Sequence, residues 1–222
     1  TEQQIDTMQT DITNYLVQIT RRRLTQPQSN LIPLLMHCVN DAERIADHTE
    51  NILKLTKRLA KADIVLSDIA RHDLDRIWEL LRSQAHNVEL ALAGKNQESA
   101  ALALENERKL NKLAKKYEKN YSRKEDYEAF GHLGGSTKAA DEQQSRNEKI
   151  SELALENEHE INLLTKKYEE SHIERRNTGK CAVDASVIFI EMLWELERIG
   201  DHLANIAVRA PEIQKHYVAL AI

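Results

Sequence analysis

Apolar positions recur at helical spacing along most of the chain. From Thr1 to about Leu24, the residues Ile5, Met8, Ile12, Leu16 and Ile19 return every three or four positions and predict a helix with that face buried. It stops before Pro27. Ser29 and Asn30 then offer an N-cap for a second long helix reaching about Lys61, with an apolar stripe through Leu35, Cys38, Ala42, Ile45 and Ile52. Asp63 is expected to cap a third, which carries Leu74, Ile77, Leu81, Ala85, Val88 and Leu92 and ends at Gly94, a residue suited to the left-handed position after a helix. The last helix follows a breaker at Asn177, Thr178 and Gly179 and starts near Val183. It buries Ile188, Met192, Leu196, Ile199, Leu203 and Ile206 and is expected to stop near Arg209, just before Pro211. No strands are expected.

Two repetitions are superimposed on this pattern. Glu43 to Ile52 (ERIADHTENI) returns as Glu197 to Ile206 (ERIGDHLANI), and, independently, Leu102 to Glu118 returns as Leu153 to Glu169. The long-period repeat extends upstream, where Glu2 and Asp6 match Glu158 and Asn162, with Glu107 and Asn111 as an additional copy. Such self-similarity predicts two homologous helical bundles side by side, residues 1–62 and 63–222. The second bundle carries an extra helical insertion in which the duplicated segments 98–121 and 149–176 flank a stretch, 124–146, read as a mobile loop from Gly131, Gly134, Gly135 and Ser136.

Composition agrees with an all-α chain: 30% of the 222 residues are charged and 5% aromatic, with six glycines and three prolines. A net charge of -5 and a pI near 6.0 give no electrostatic reason to bind nucleic acid, and Arg21 to Arg23 read as a solvated helix C-terminus. Two cysteines do not make a disulfide framework. Cys38 reads as a core residue and Cys181 as structural near a helix start, and a reducing cytoplasmic setting is expected. No apolar run approaches the roughly 20 residues that span a bilayer, no signal peptide precedes Thr1, and without an initiator Met the chain is read as a piece of something longer.

Within each copy of the long motif, Glu, Asp and Asn stand at i, i+4 and i+8 and are expected to line one side of a helix as a row of oxygen ligands: Glu43, Asp47 and Asn51, then Glu197, Asp201 and Asn205. In the last helix this row lies off the core stripe, yet it continues into Ile190, Trp194 and Val208, which makes it a polar island on a partly apolar face. Like charges at i, i+4 destabilise a helix by roughly 0.2–0.5 kcal/mol, and partial burial raises that cost unless cations compensate. Two compensators fit. Arg44 and Arg198, next to the glutamates, could pair with acids on neighbouring helices; alternatively a metal ion could bridge the carboxylates with help from Glu2, Asp6 and Glu158. His48 and His202 point about 100° away from the aspartates and read as hydrogen-bonding or surface residues. Asp41 and Glu195 correspond between the copies and flank the row from its other side.

The segment HIERRNTGKCAVDASVIFIEMLWELERIGDHLANIA, His172 to Ala207, resembles the closing part of a PhoU domain. More narrowly, the chain is similar to the PhoU-like cytoplasmic domain that follows the membrane part of bacterial Na+/phosphate cotransporters. That resemblance covers the chain except the duplicated insertion. It implies two tandem three-helix bundles of up-down helices, the first lacking the helix expected before Thr1, and a regulatory, non-catalytic role in phosphate uptake at the cytoplasmic side of an inner membrane. It also implies a multinuclear metal cluster held through ExxxD pairs, here Glu43 with Asp47 and Glu197 with Asp201; iron is the first expectation, with nickel, zinc, manganese and magnesium as alternatives. Asn162, standing where an Asp is expected, weakens the second set. The implied partner is a membrane transporter domain, and a homodimer is compatible with the long helices. A free-standing PhoU-type regulator is the nearest alternative. A metal-dependent phosphohydrolase is the more distant one, against which stand the lack of a Gly-rich phosphate loop and of a nucleophile with an adjacent base.

Overall fold

A computed structural model describes residues 2–93, 140–178 and 183–220, with side chains over 3–93, 145–178 and 183–217. The first duplicate Leu102–Glu118, the glycines of the expected loop, Gly94, Cys181 and the Glu2 side chain lie outside the described residues. Among those described there are five helices and no strand: α1 (Glu2–Thr20), α2 (Gln26–Lys61), α3 (Asp68–Ala93), α4 (Ala140–Asn177) and α5 (Val183–Leu220). The fold is an all-α helical bundle. No described helix is long and apolar enough to cross a membrane.

Several boundaries differ from the sequence expectation, each for a local reason. Helix α1 ends at Thr20 rather than Leu24. Helix α2 begins earlier than Ser29 and Asn30, because Thr25 takes the N-cap position and its backbone N–H donates to the Gln28 side chain at 2.9 Å. Pro27 is admitted because first-turn N–H groups lack intrahelical acceptors anyway. Asp63 does not open α3. It sits at φ 52°, just past the end of α2, where Ile64 N–H reaches back to the Leu59 carbonyl at 3.0 Å; the cap of α3 is Ser67, whose hydroxyl accepts from Ala70 N–H at 3.2 Å. Helix α4 already begins at Ala140, inside the stretch read as loop. Helix α5 passes through Pro211 to Leu220. A proline there removes one backbone bond, but Ala207, Ala210 and Ile213 around it are buried, and Gln214 of the next turn donates to the Leu92 carbonyl, so packing holds the helix past the break.

Helices α3, α4 and α5 pack mutually, α2 lies along α5 in the most extensive of the helix contacts, and α1 packs on α2. The whole predicted stripe of α5 is buried, joined by Phe189, Leu193 and Ala207, and it meets Ile77, Leu81 and Val88 of α3 and Ala154 and Ile161 of α4. In α3, Ala85 faces solvent and Leu80, Gln84, Asn87 and Ala91 are buried instead. Cys38, Ile45 and Ile52 of α2 pack on this core as partly buried residues, while Ala42 is exposed. The stripe of α1 is the largest departure: only Leu16 is buried, and Ile5, Met8 and Ile12 stay exposed because nothing equivalent to α3 covers them among the described residues.

Gly200 of α5 lies against both α3 and α4. A Cβ there would meet Ile161, Gln84 and Leu81 at 3.4–3.5 Å, ordinary contact distances, and the first copy carries Ala46 at the matching position. Gly200→Ala is therefore expected to raise stability by about 0.5–1 kcal/mol through helix propensity, read as a higher urea midpoint. A lower midpoint would mean that the Gln84 amide, which donates to the Gly200 carbonyl at 3.0 Å, is displaced.

Candidate metal centre

The two copies of the long motif face each other across α2 and α5, and their contacts are reciprocal. His48 Nδ1 meets Glu195 Oε2 at 2.7 Å and His202 Nδ1 meets Asp41 Oδ1 at 2.8 Å, so each histidine pairs with the acid of the opposite copy. The two imidazoles stack between these pairs, centroids 5.5 Å apart and planes 24° from parallel. Asn51 donates to Glu195 at 3.3 Å and Asn205 to Asp41 at 3.4 Å. Arg209 adds a further donor to Asp41 at 2.8 Å, and Arg58 reaches Glu191 at 2.7 Å.

This seam corrects the expected row of ligands. At about 100° per residue an i+8 position stands roughly 80° round the helix from the glutamate, and the histidine roughly 140°. The asparagines therefore turn toward the histidines and are spent on Glu195 and Asp41, leaving Glu and Asp of each ExxxD pair on the other side. Asp41 and Glu195 belong to the seam as well. The signal in the sequence was the joint recurrence of acid, His and Asn in both copies, which marks a two-sided contact as readily as a ligand set.

The acids that remain gather in two places. Between α1 and α2, one carboxylate oxygen from each of Asp6, Glu43 and Asp47 falls within 4.8 Å of the others. Burial, and then Asp47 beside it, pushes the Glu43 carboxyl above the usual carboxylate range; Arg44 opposes this, while Asp6 and a hydrogen bond with Asp47 add to it. One oxygen of Asp6 is buried with no hydrogen-bond partner. Three converging carboxylates, one with an orphaned buried oxygen, are a donor set that fits a cation. Glu2 precedes Asp6 by about one turn of α1.

The second set is poorer. Burial and the neighbouring charges of Asp201, Glu169 and Glu158 raise the Glu197 carboxyl, with Arg198 opposing. Asn162, where the first half has Asp6, supplies an amide that donates to Glu158 instead of a further carboxylate. Arg198 turns along its own helix to Asp201 at 3.2 Å rather than reaching a neighbouring helix. Glu169, three turns along α4 from Glu158, is a member of this set that the motif spacing did not reveal.

Compared with known proteins, the chain matches the family model of the PhoU domain over residues 1–56 and 137–210, more than half its length, and these segments hold both copies of the motif. Neither the curated proteins nor the solved structures give a match.

Proposed function

We propose, because this chain belongs to the PhoU domain family, that it is a regulatory domain that controls phosphate uptake by docking on a Na+/phosphate transporter at the cytoplasmic face of the inner membrane, with a metal bound between α1 and α2. Membership supplies the process, since the family is regulatory and non-enzymatic and acts in phosphate transport. The metal part rests on the convergence of Asp6, Glu43 and Asp47. These three would hold the ion. The resemblance nominates iron; an all-oxygen donor set also suits manganese or magnesium and suits zinc and nickel less. A bound cation would cancel the repulsion among the three acids and tie α1 more firmly to α2, its only extensive neighbour among the described residues.

Elemental analysis of the purified chain beside the double variant Asp47→Asn with Asp201→Asn tests this. Stoichiometric transition metal is expected in the parent protein and a loss of more than half in the variant. If both lack metal at physiological ion levels, the metal part fails and family membership stands. Docking is read separately, by co-purification with the membrane part of a Na+/phosphate transporter. Its absence would remove the transporter as partner.

A further inference from the structure

The two halves diverge beside Glu197. Trp194 stands about one turn before that glutamate, at the position where the first copy has Asn40. Its indole is 50% exposed and forms one wall of a cavity of about 370 Å³, lined otherwise by His48, Glu195, Glu197 and Arg198. Glu195 is already committed to His48 and Asn51. Arg198, the cation nearest in sequence, is paired with Asp201. Glu197 thus lines a cavity together with the half-exposed Trp194, with Asp201, Glu158 and Glu169 adding negative charge from α5 and α4.

An indole face offers a metal ion no lone-pair donor, and in this half Asn162 stands where the first half has the carboxylate of Asp6. A guanidinium uses both features at once: its plane stacks on an indole while its edge N–H groups reach a carboxylate. We propose that the cavity receives an arginine side chain from a protein partner, with Trp194 as the stacking wall and Glu197 as the ion-pair acceptor. The first half, with Asn40 in place of the indole, keeps the metal-type acid set and lacks this receptor. The identity of the partner rests on the docking reading above; the receptor itself does not depend on metal at Asp6, Glu43 and Asp47.

The chain has two tryptophans, Trp78 and Trp194, so Trp78→Phe in the full chain leaves Trp194 as the sole indole emitter. Its emission is followed while adding a blocked alanine–arginine–alanine tripeptide or the same peptide with uncharged citrulline at the centre. A saturable change with the arginine peptide is expected, with affinity lower by about tenfold for citrulline and by at least about fivefold after Glu197→Gln. Asp47→Asn, at the other acid set, should leave the arginine affinity unchanged. The proposal is overturned by equal affinity for the citrulline peptide, by an unchanged affinity in a Glu197→Gln protein whose helical melt is intact, or by loss of binding in Asp47→Asn. Absence of any saturable change with the arginine peptide overturns it too. Failure here with metal still bound at the first set would remove the arginine receptor and keep the metal reading, and the reverse outcome would do the opposite.

Discussion

Glu43→Gln should raise the thermal midpoint of metal-stripped protein and, in the same variant, abolish the further rise that added metal gives the parent chain. In the stripped protein Glu43 is held in a partly desolvated place with Asp47 beside it and Asp6 near, so its charge opposes folding. Relief of one i, i+4 repulsion is worth roughly 0.2–0.5 kcal/mol, or about 0.4–2 °C for a chain of this size. Metal at a hundred times its dissociation constant stabilises the parent by about 2.7 kcal/mol, several degrees that the variant forgoes. The pH dependence has a definite sign. A carboxyl whose folded pKa lies above its ordinary 4.5 keeps its full contribution below that value and loses it as pH rises through the folded pKa. Stripped protein should therefore lose this part of its stability with rising pH, and loaded protein should show the opposite trend, because metal needs the deprotonated acids. Differential scanning fluorimetry with and without chelator reads both. A lower midpoint for stripped Glu43→Gln would show that Glu43 makes a favourable structural contact instead.

Asp41→Ala is expected to cost about 3 kcal/mol, the range for removing one partner of a largely buried ion pair. Its side chain is 12% exposed and takes donors from His202, Arg209 and Asn205; the substitution removes the acceptor from all three, leaving Arg209 its bond to the Asn205 carbonyl. Glu195→Ala, the counterpart, should cost less, because Glu195 is 24% exposed and its Asn51 contacts are long. Urea denaturation gives both numbers. Equal costs would mean that burial does not separate the two halves of the seam.

How far the sequence could be read depended on what covers each face. The stripe of α5 could be read in full because it is enclosed on several sides, by α2, α3 and α4. The stripe of α1 was correctly apolar and wrongly expected to be buried: periodicity marks a face and says nothing of a neighbour to cover it. Pro211 and Asp63 misled because single-residue signals are weak against packing, which carries α5 across a proline and puts Asp63 in a left-handed position at a helix end. Among the candidate ligands, Glu43, Asp47 and Asp6 do meet, whereas Asn51 and Asn205 do not join them, since a spacing of eight residues leaves enough angular drift to change neighbours. The separation of Glu43 from Asp41, only two residues apart, needed the partner helix to be seen.

The reciprocal seam between α2 and α5 has the form of an isologous contact, the kind two identical subunits make about a twofold axis. In a homodimer every substitution strikes both sides at once, so the two sites must remain alike. Carried within one chain, the same contact can change on one side only: Asp41 can be short where Glu195 is long, and Trp194 can stand where its counterpart is Asn40. The histidine stack keeps the two motif helices joined while the surfaces beside it are free to take up different tasks.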